Sequence, residues 1–178
     1  VILRMCLLAC AFSVAFVHLA STQSGTCQNP VACENAKPGN PQSEWDVAGF
    51  GDIDIQGFAA KFSVNKGATV DFRVRTASPS YVLNIYRLGY YGGLGARKVA
   101  TVTPSVLLPQ TQPNCLSDSA TGLIDCGNWA SSAFWTVPST AVSGVYIAKL
   151  QKNDTTGASH VVFVVRDDSG RSSLLFQT

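Results

Sequence analysis

With 178 residues the chain has room for one ordinary domain and a short tail. Charged residues make up 13% and apolar residues 46%, a balance that excludes a disordered, charge-rich chain and favours a sheet-rich fold. Thirteen basic against 11 acidic residues leave a net charge of +2 with no basic run, so the sequence carries neither a nucleic-acid footprint nor a polybasic membrane patch.

Arg4 precedes an apolar run from Met5 to Ala20 and a small polar segment from Ser21 to Gly25. That is the order of charged, hydrophobic and cleavage regions in a secretory signal peptide, so residues 1–25 are read as a cleavable signal helix. The run is short for a membrane span, which needs about 20 apolar residues; an uncleaved N-terminal anchor is the alternative. The mature chain is expected to be secreted or periplasmic, with no membrane span once the leader is removed. Val1 is not an initiator and Met5 would serve as one, while Ser173–Thr178 reads as a strand that stops without a turn. Both features suggest a fragment of a longer reading frame.

Cys6 and Cys10 leave with the leader, and Cys27, Cys33, Cys115 and Cys126 remain, an even number in an exported chain. Four cysteines allow three pairings. Cys27 with Cys33 and Cys115 with Cys126 is expected, because each pair brackets a short loop rich in turn formers. Neither spacing matches the two-to-four gap of zinc ligands, and His160 is the one histidine after the leader.

Residues 26–44 hold three prolines and few apolar residues, which predicts an extended lead-in pinned by its disulfide. A β-sandwich domain is expected over 45–170. Its first strand is placed at Gly57–Val64, followed by an Asn65-Lys66-Gly67 turn. Over Thr69–Thr76, Val70, Phe72 and Val74 alternate with Asp71, Arg73 and Arg75, the period of a strand with one buried face. Tyr81–Leu88 is apolar on both parities and reads as a central strand whose outer face is also covered. Arg97–Thr103 is a further strand. Pro104–Trp129 is a long irregular segment, tied down by the second cysteine pair. Ser132–Val137, Gly144–Gln151 and Ser159–Arg166 complete the set, and residues 171–178 are read as the first strand of a further domain. About seven or eight short strands at regular spacing predict an all-β fold, an Ig-like or jelly-roll-like antiparallel sandwich. Asn153-Asp154-Thr155 is a glycosylation sequon in one of the turns.

The stretch from Tyr86 to Arg97 is furthest from ordinary composition, with three tyrosines, four glycines and two arginines. Glycine at this density permits positive φ or close approach of another surface, and Tyr and Arg are frequent interface anchors. The sequence Ile-Tyr-Arg-Leu-Gly-Tyr-Tyr-Gly-Gly-Leu-Gly-Ala-Arg over Ile85–Arg97, together with Asn40–Trp45, Gly122–Trp129, Ala158–Asp168 and Leu175–Thr178, resembles the large (beta) subunit family of N,N-dimethylformamidase from about residue 35 onward. The resemblance implies that this region is the N-terminal sandwich module preceding a catalytic domain. It also implies a mononuclear iron, held by Tyr and Glu side chains of the part that follows Thr178, and no cofactor in the chain itself.

Candidate chemistry is sparse. His160 with Asp167 and Asp168 does not form a hydrolytic triad, since strand residues six to eight apart lie about 20 Å apart; a hydrogen-bonded structural histidine is expected. Asp52 and Asp54 are read as two solvent-facing acids on one side of a strand, with a calcium loop as the alternative. Gly89–Gly95 lacks the Lys-Ser or Lys-Thr of a phosphate loop. Arg87, Tyr90, Tyr91, Arg97 and Trp129 form the candidate docking or ligand surface. They are expected to meet a downstream domain of the same protein, to pack within the domain, or to stack on a glycan. Two functions follow. The first is a non-catalytic sandwich domain supporting a downstream amide-hydrolase-like domain; the second is a stand-alone carbohydrate-binding or cell-surface adhesion module.

Overall fold

The computed structural model describes residues 27–170; the expected leader and the expected strand after 170 lie outside them. Two short helices, α1 (Pro30–Asn35) and α2 (Gln42–Trp45), precede ten strands. The strands are β1 (Ile55–Ala59), β2 (Ser63–Asn65), β3 (Thr69–Thr76), β4 (Tyr81–Leu88), β5 (Ala96–Val102), β6 (Leu116–Asp118), β7 (Leu123–Asp125), β8 (Ala133–Thr136), β9 (Gly144–Lys152) and β10 (Ala158–Arg166). β1-β3-β8 form one sheet and β2-β10-β9-β4-β5 the other, while β6 and β7 pair as a separate hairpin.

The alternation read from the sequence sets the two inner faces. Val70, Phe72 and Val74 of β3 face Leu83 and Ile85 of β4, Ala148 and Leu150 of β9, and Val161, Phe163 and Val165 of β10 in one buried cluster. Phe72 meets Phe163 edge-on across the sheets at 5.6 Å. Truncating such a ring to alanine costs about 3–5 kcal/mol. The sandwich is all-β as expected, with one departure from antiparallel order: β10 pairs β2 in parallel.

The strands depart from the sequence reading in two places. The single strand expected over Gly57–Val64 is two, because β1 joins the three-stranded sheet and the chain then crosses the sandwich edge to put β2 beside β10. The alternation continues through the crossing, so the pattern cannot signal it. Part of the segment expected to be irregular forms the β6–β7 hairpin, in which Leu116 opposes Asp125 and Asp118 opposes Leu123.

The lead-in is not extended. Asn29 caps α1 by accepting from the Val31 and Ala32 backbone N–H groups at 2.9 and 3.2 Å, and Pro30 takes the first helical position, where no N–H is needed. Cys27–Cys33 staples this turn, and Cys115–Cys126 closes the hairpin, the local pairing that was expected. α2 lies over the outer face of the five-stranded sheet, where Trp45 packs beside Tyr86, Ala96 and Ile147. β4 is therefore central and covered on both faces. Donors from that face take up the backbone oxygens at the end of α2: Tyr86 Oη and Lys149 Nζ bond Glu44 O at 3.2 and 3.0 Å, and Lys149 also bonds Asp46 O at 3.1 Å. His160 Nε2 lies 2.6 Å from Trp45 O and must donate, since a carbonyl cannot. This is the structural role expected of His160.

Candidate functional site at the glycine-rich turn

Between β4 and β5 the chain makes a single 3₁₀ turn at Tyr91–Gly93. Gly92, Gly93 and Gly95 have φ of 67°, 91° and 84°, and Tyr91 itself sits at φ 42°. A left-handed non-glycine residue costs about 1 kcal/mol, so something must hold Tyr91 in place. Its ring is 1% exposed. Its hydroxyl donates to Glu34 Oε1 of α1 at 3.1 Å and accepts from Arg87 Nη1 at 3.1 Å.

Glu34 is the hub. It is 3% exposed and accepts from Arg97 Nε at 2.7 Å, from Arg97 Nη2, and from Lys37 Nζ at 2.7 Å on its second oxygen. Burial alone would raise its pKa. Hydrogen bonds from Lys37, Arg97 and Tyr91, with the Arg97 charge, outweigh burial and hold the carboxyl below its ordinary 4.5. Burial pushes the Tyr91 phenol up, so the pair is held as carboxylate and neutral phenol. Asn35 completes the clamp by accepting from Arg87 Nη1 at 3.3 Å and from the Tyr90 backbone N–H at 3.2 Å. Gly89 permits this approach, because a Cβ there would collide with Asn35 Oδ1 and stand 2.9 Å from both Arg87 Nη1 and Tyr91 Cε2.

The five residues expected on one surface are thus divided. Arg87 is 4% exposed; its Nη2 reaches Ser143 O at 2.9 Å and its Nε Val142 O at 3.4 Å, while Nη1 also lies 3.2 Å from Leu88 O. Arg87, Tyr91 and Arg97 meet around Glu34. Tyr90, at 71%, is the exposed ring of the group, with Leu94 partly exposed beside it. Trp129 belongs elsewhere: it is buried against Phe58 of β1 at 5.6 Å, and its Nε1 donates to Pro113 O at 2.9 Å. Arg87, Tyr91 and Trp129 are therefore not surface residues. Glu34 and Asn35 are the partners that the sequence reading missed. The Asn29-Pro30 start of a helix was the signal that could have found them.

Asp52 and Asp54 are not on a strand: Asp52 accepts from the Asp54 backbone N–H at 2.9 Å in a turn and pairs with Lys152 at 2.9 Å. Asp167 pairs with Lys66 at 2.6 Å and Asp168 with Arg166 at 2.9 Å. Among the described residues no group of three or more His, Cys, Asp or Glu side chains is placed to hold a metal. Glu34 and Tyr91 are residue types that the resemblance implies for iron. Arg87, Arg97 and Lys37 donate into the same cluster, so a metal cation there would meet their positive charges, and the residues do not fit it. Among the described residues no helix is long and apolar enough to cross a membrane. A cleft of about 850 Å³ lies between Gln28–Val31 and Ser139–Ser143, with Gly170 on its wall, where the described chain begins and ends.

Three solved structures are similar at low identity. An uncharacterized protein from Bacillus anthracis str. Ames is 14% identical over 61% of this chain and 82% of that one, with a TM-score of 0.38. Domain 1 of VCBP3 from Branchiostoma floridae is 11% identical over 66% and 98%, with a TM-score of 0.36. Murine CEACAM1b is 12% identical over 64% and 54%, with a TM-score of 0.30. No curated protein matches the chain. The family described as N,N-dimethylformamidase beta subunit-like, C-terminal, matches residues 82–178, from the second residue of β4 through the glycine-rich turn and β10, and the chain belongs to that family.

Proposed function

We propose that this chain is a non-catalytic sandwich domain of an exported N,N-dimethylformamidase-like protein, and that it supports a downstream amide-hydrolase-like domain in which the iron is held. The observation that carries this reading is the occupation of the glycine-rich turn by α1. Glu34, Asn35, Arg87, Tyr91 and Arg97 satisfy one another, and neither Glu34 nor Tyr91 has a pKa moved toward neutrality, where acid–base work is most effective. The turn is a saddle clamped by these bonds, and its exposed edge, Tyr90 and Leu94, is the part offered to a neighbouring domain. The two disulfides fit export through an oxidising compartment. The chain is to be purified and assayed for hydrolysis of formamide and N,N-dimethylformamide, with and without added ferrous iron. No turnover is expected, and turnover by this chain alone would sink the proposal.

One observation favours a second reading, glycan binding by a stand-alone or adhesive module: Tyr90 presents a ring to solvent on a fixed turn. A glycan array run with the wild type and Tyr90→Ala separates the two. A signal lost in the variant supports glycan binding, and silence in both supports docking.

A further inference from the structure

We propose that the crevice behind the Glu34 cluster binds a small organic carboxylate. It encloses about 170 Å³ between α1 and the open end of the sandwich, and its lining includes Glu34, Lys37, Arg97, Trp135, Pro138 and Tyr146. The volume suits a ligand of a few heavy atoms, below the usual drug-sized range.

Its two sides differ in chemistry. Trp135 and Tyr146 are core residues with ring centroids 6.0 Å apart, and they present an aromatic wall with Pro138 beside them. The Tyr146 hydroxyl is engaged by Val142 O at 2.6 Å, and burial pushes its pKa up to about 12, so that wall stays neutral. The opposite side is cationic. Glu34 is the one carboxylate within salt-bridge distance of Arg97 and Lys37 among the described residues. Arg87, in the same cluster, is met by carbonyl and hydroxyl oxygens and the Asn35 amide, which carry no charge. Three cations thus share one anion in a partly desolvated place.

The unused donors point to the ligand. Arg97 directs Nε and Nη2 at Glu34, and a guanidinium has five N–H groups, so Nη1 remains. Lys37 directs Nζ at Glu34 Oε2 and has two further N–H groups. A ligand carboxylate takes these donors, and its apolar body lies against Trp135, Tyr146 and Pro138. A single negative charge is favoured over a dianion, because Glu34 stands beside it. A cation or a neutral amide gains nothing from the excess positive charge. This inference does not depend on the docking role of the domain.

The test is a titration of the whole chain with sodium benzoate, and with benzamide as its neutral counterpart at matched ionic strength, followed by the Trp135 indole NMR signal. Benzoate is expected to give a saturable shift with a Kd on the order of 1 mM, and benzamide none. Lys37→Met, at a half-exposed side chain, is expected to weaken benzoate about tenfold. Thr140→Phe, at an exposed lining position, is expected to close the crevice and remove the shift. The proposal is overturned if benzoate produces no saturable shift, if benzamide binds equally well, or if both variants bind as the wild type does. The wild-type comparison of the two ligands decides the matter even where a variant fails to fold.

Discussion

The two disulfide-closed segments make a natural comparison. Cys27–Cys33 and Cys115–Cys126 are both local, with sequence separations of 6 and 11. The first carries α1 into the sheet, where Glu34 is buried and bonded to Tyr91, Arg97 and Lys37. The second carries β6 and β7 out of the molecule, with Leu116, Leu123 and Ile124 all exposed. That excursion is held at its base, by Gln112 on Ala130 O at 2.9 Å and on Val74 O at 3.1 Å, by Trp129 on Pro113 O at 2.9 Å, and by Arg73 of β3 on Gly127 O at 2.6 Å. A disulfide limits a segment's freedom, but integration requires specific partners on the body of the fold.

The largest expected effect comes from removing the hub. Glu34→Gln leaves Arg97 and Tyr91 without a carboxylate and should destabilise the chain by about 3 kcal/mol in urea denaturation. A loss within error of zero would break the contrast between the two segments. The same residue predicts a pH profile. Because the folded pKa of Glu34 is depressed, its contribution is fully present above the ordinary 4.5 and is lost as pH falls through the lower folded value. Wild-type stability should therefore fall on acidification below about pH 4.5, and the fall should be shallower in Glu34→Gln.

Next comes a paired removal of the disulfides. Chain entropy assigns each of these short loops about 2–3 kcal/mol. Cys27→Ser/Cys33→Ser should lose about 2 kcal/mol, since α1 stays clamped and the full cost falls on folding. In Cys115→Ser/Cys126→Ser the exposed hairpin can fray and recover entropy, so the loss should be under about 1 kcal/mol. Equal losses would mean that the hairpin is as integrated as α1. Tyr91→Phe removes one bridging hydroxyl and should cost about 1 kcal/mol, with Arg87 and Glu34 keeping their other partners. The smallest effects belong to exposed positions: Tyr90→Ala and Ile124→Ser should each move stability by less than about 0.5 kcal/mol. Thermal melts of the two variants beside the wild type check this.

Most of the sandwich was legible. The alternation of Val70, Phe72 and Val74 places β3 at Thr69–Thr76, and the doubly apolar Tyr81–Leu88 is a central strand as read. Period-2 patterning reports burial on one face, and here burial is what makes the strands. The candidate site was legible only in outline. The composition of Tyr86–Arg97 marks the turn, yet the two adjacent tyrosines have opposite fates, Tyr90 in solvent and Tyr91 in the interior. A left-handed backbone at Tyr91 turns its ring inward, and the reason for that turn, Glu34, lies 57 positions earlier.

The sequence by itself determined most of the sheet-forming segments, the local pairing of the cysteines and, through the Tyr-Arg-Leu-Gly-Tyr-Tyr-Gly-Gly run, the family. These depend on interactions between near neighbours or on patterns repeated along one strand. Tertiary structure alone decided that the helices of the lead-in pack back onto the sheet, that β1 and β2 divide between sheets, and that the aromatic turn is a clamp for α1. Each depends on partners distant in sequence, such as Glu34 with Arg97 or His160 with Trp45. No local preference of four- and six-residue helices would hold them in water without the sheet beneath.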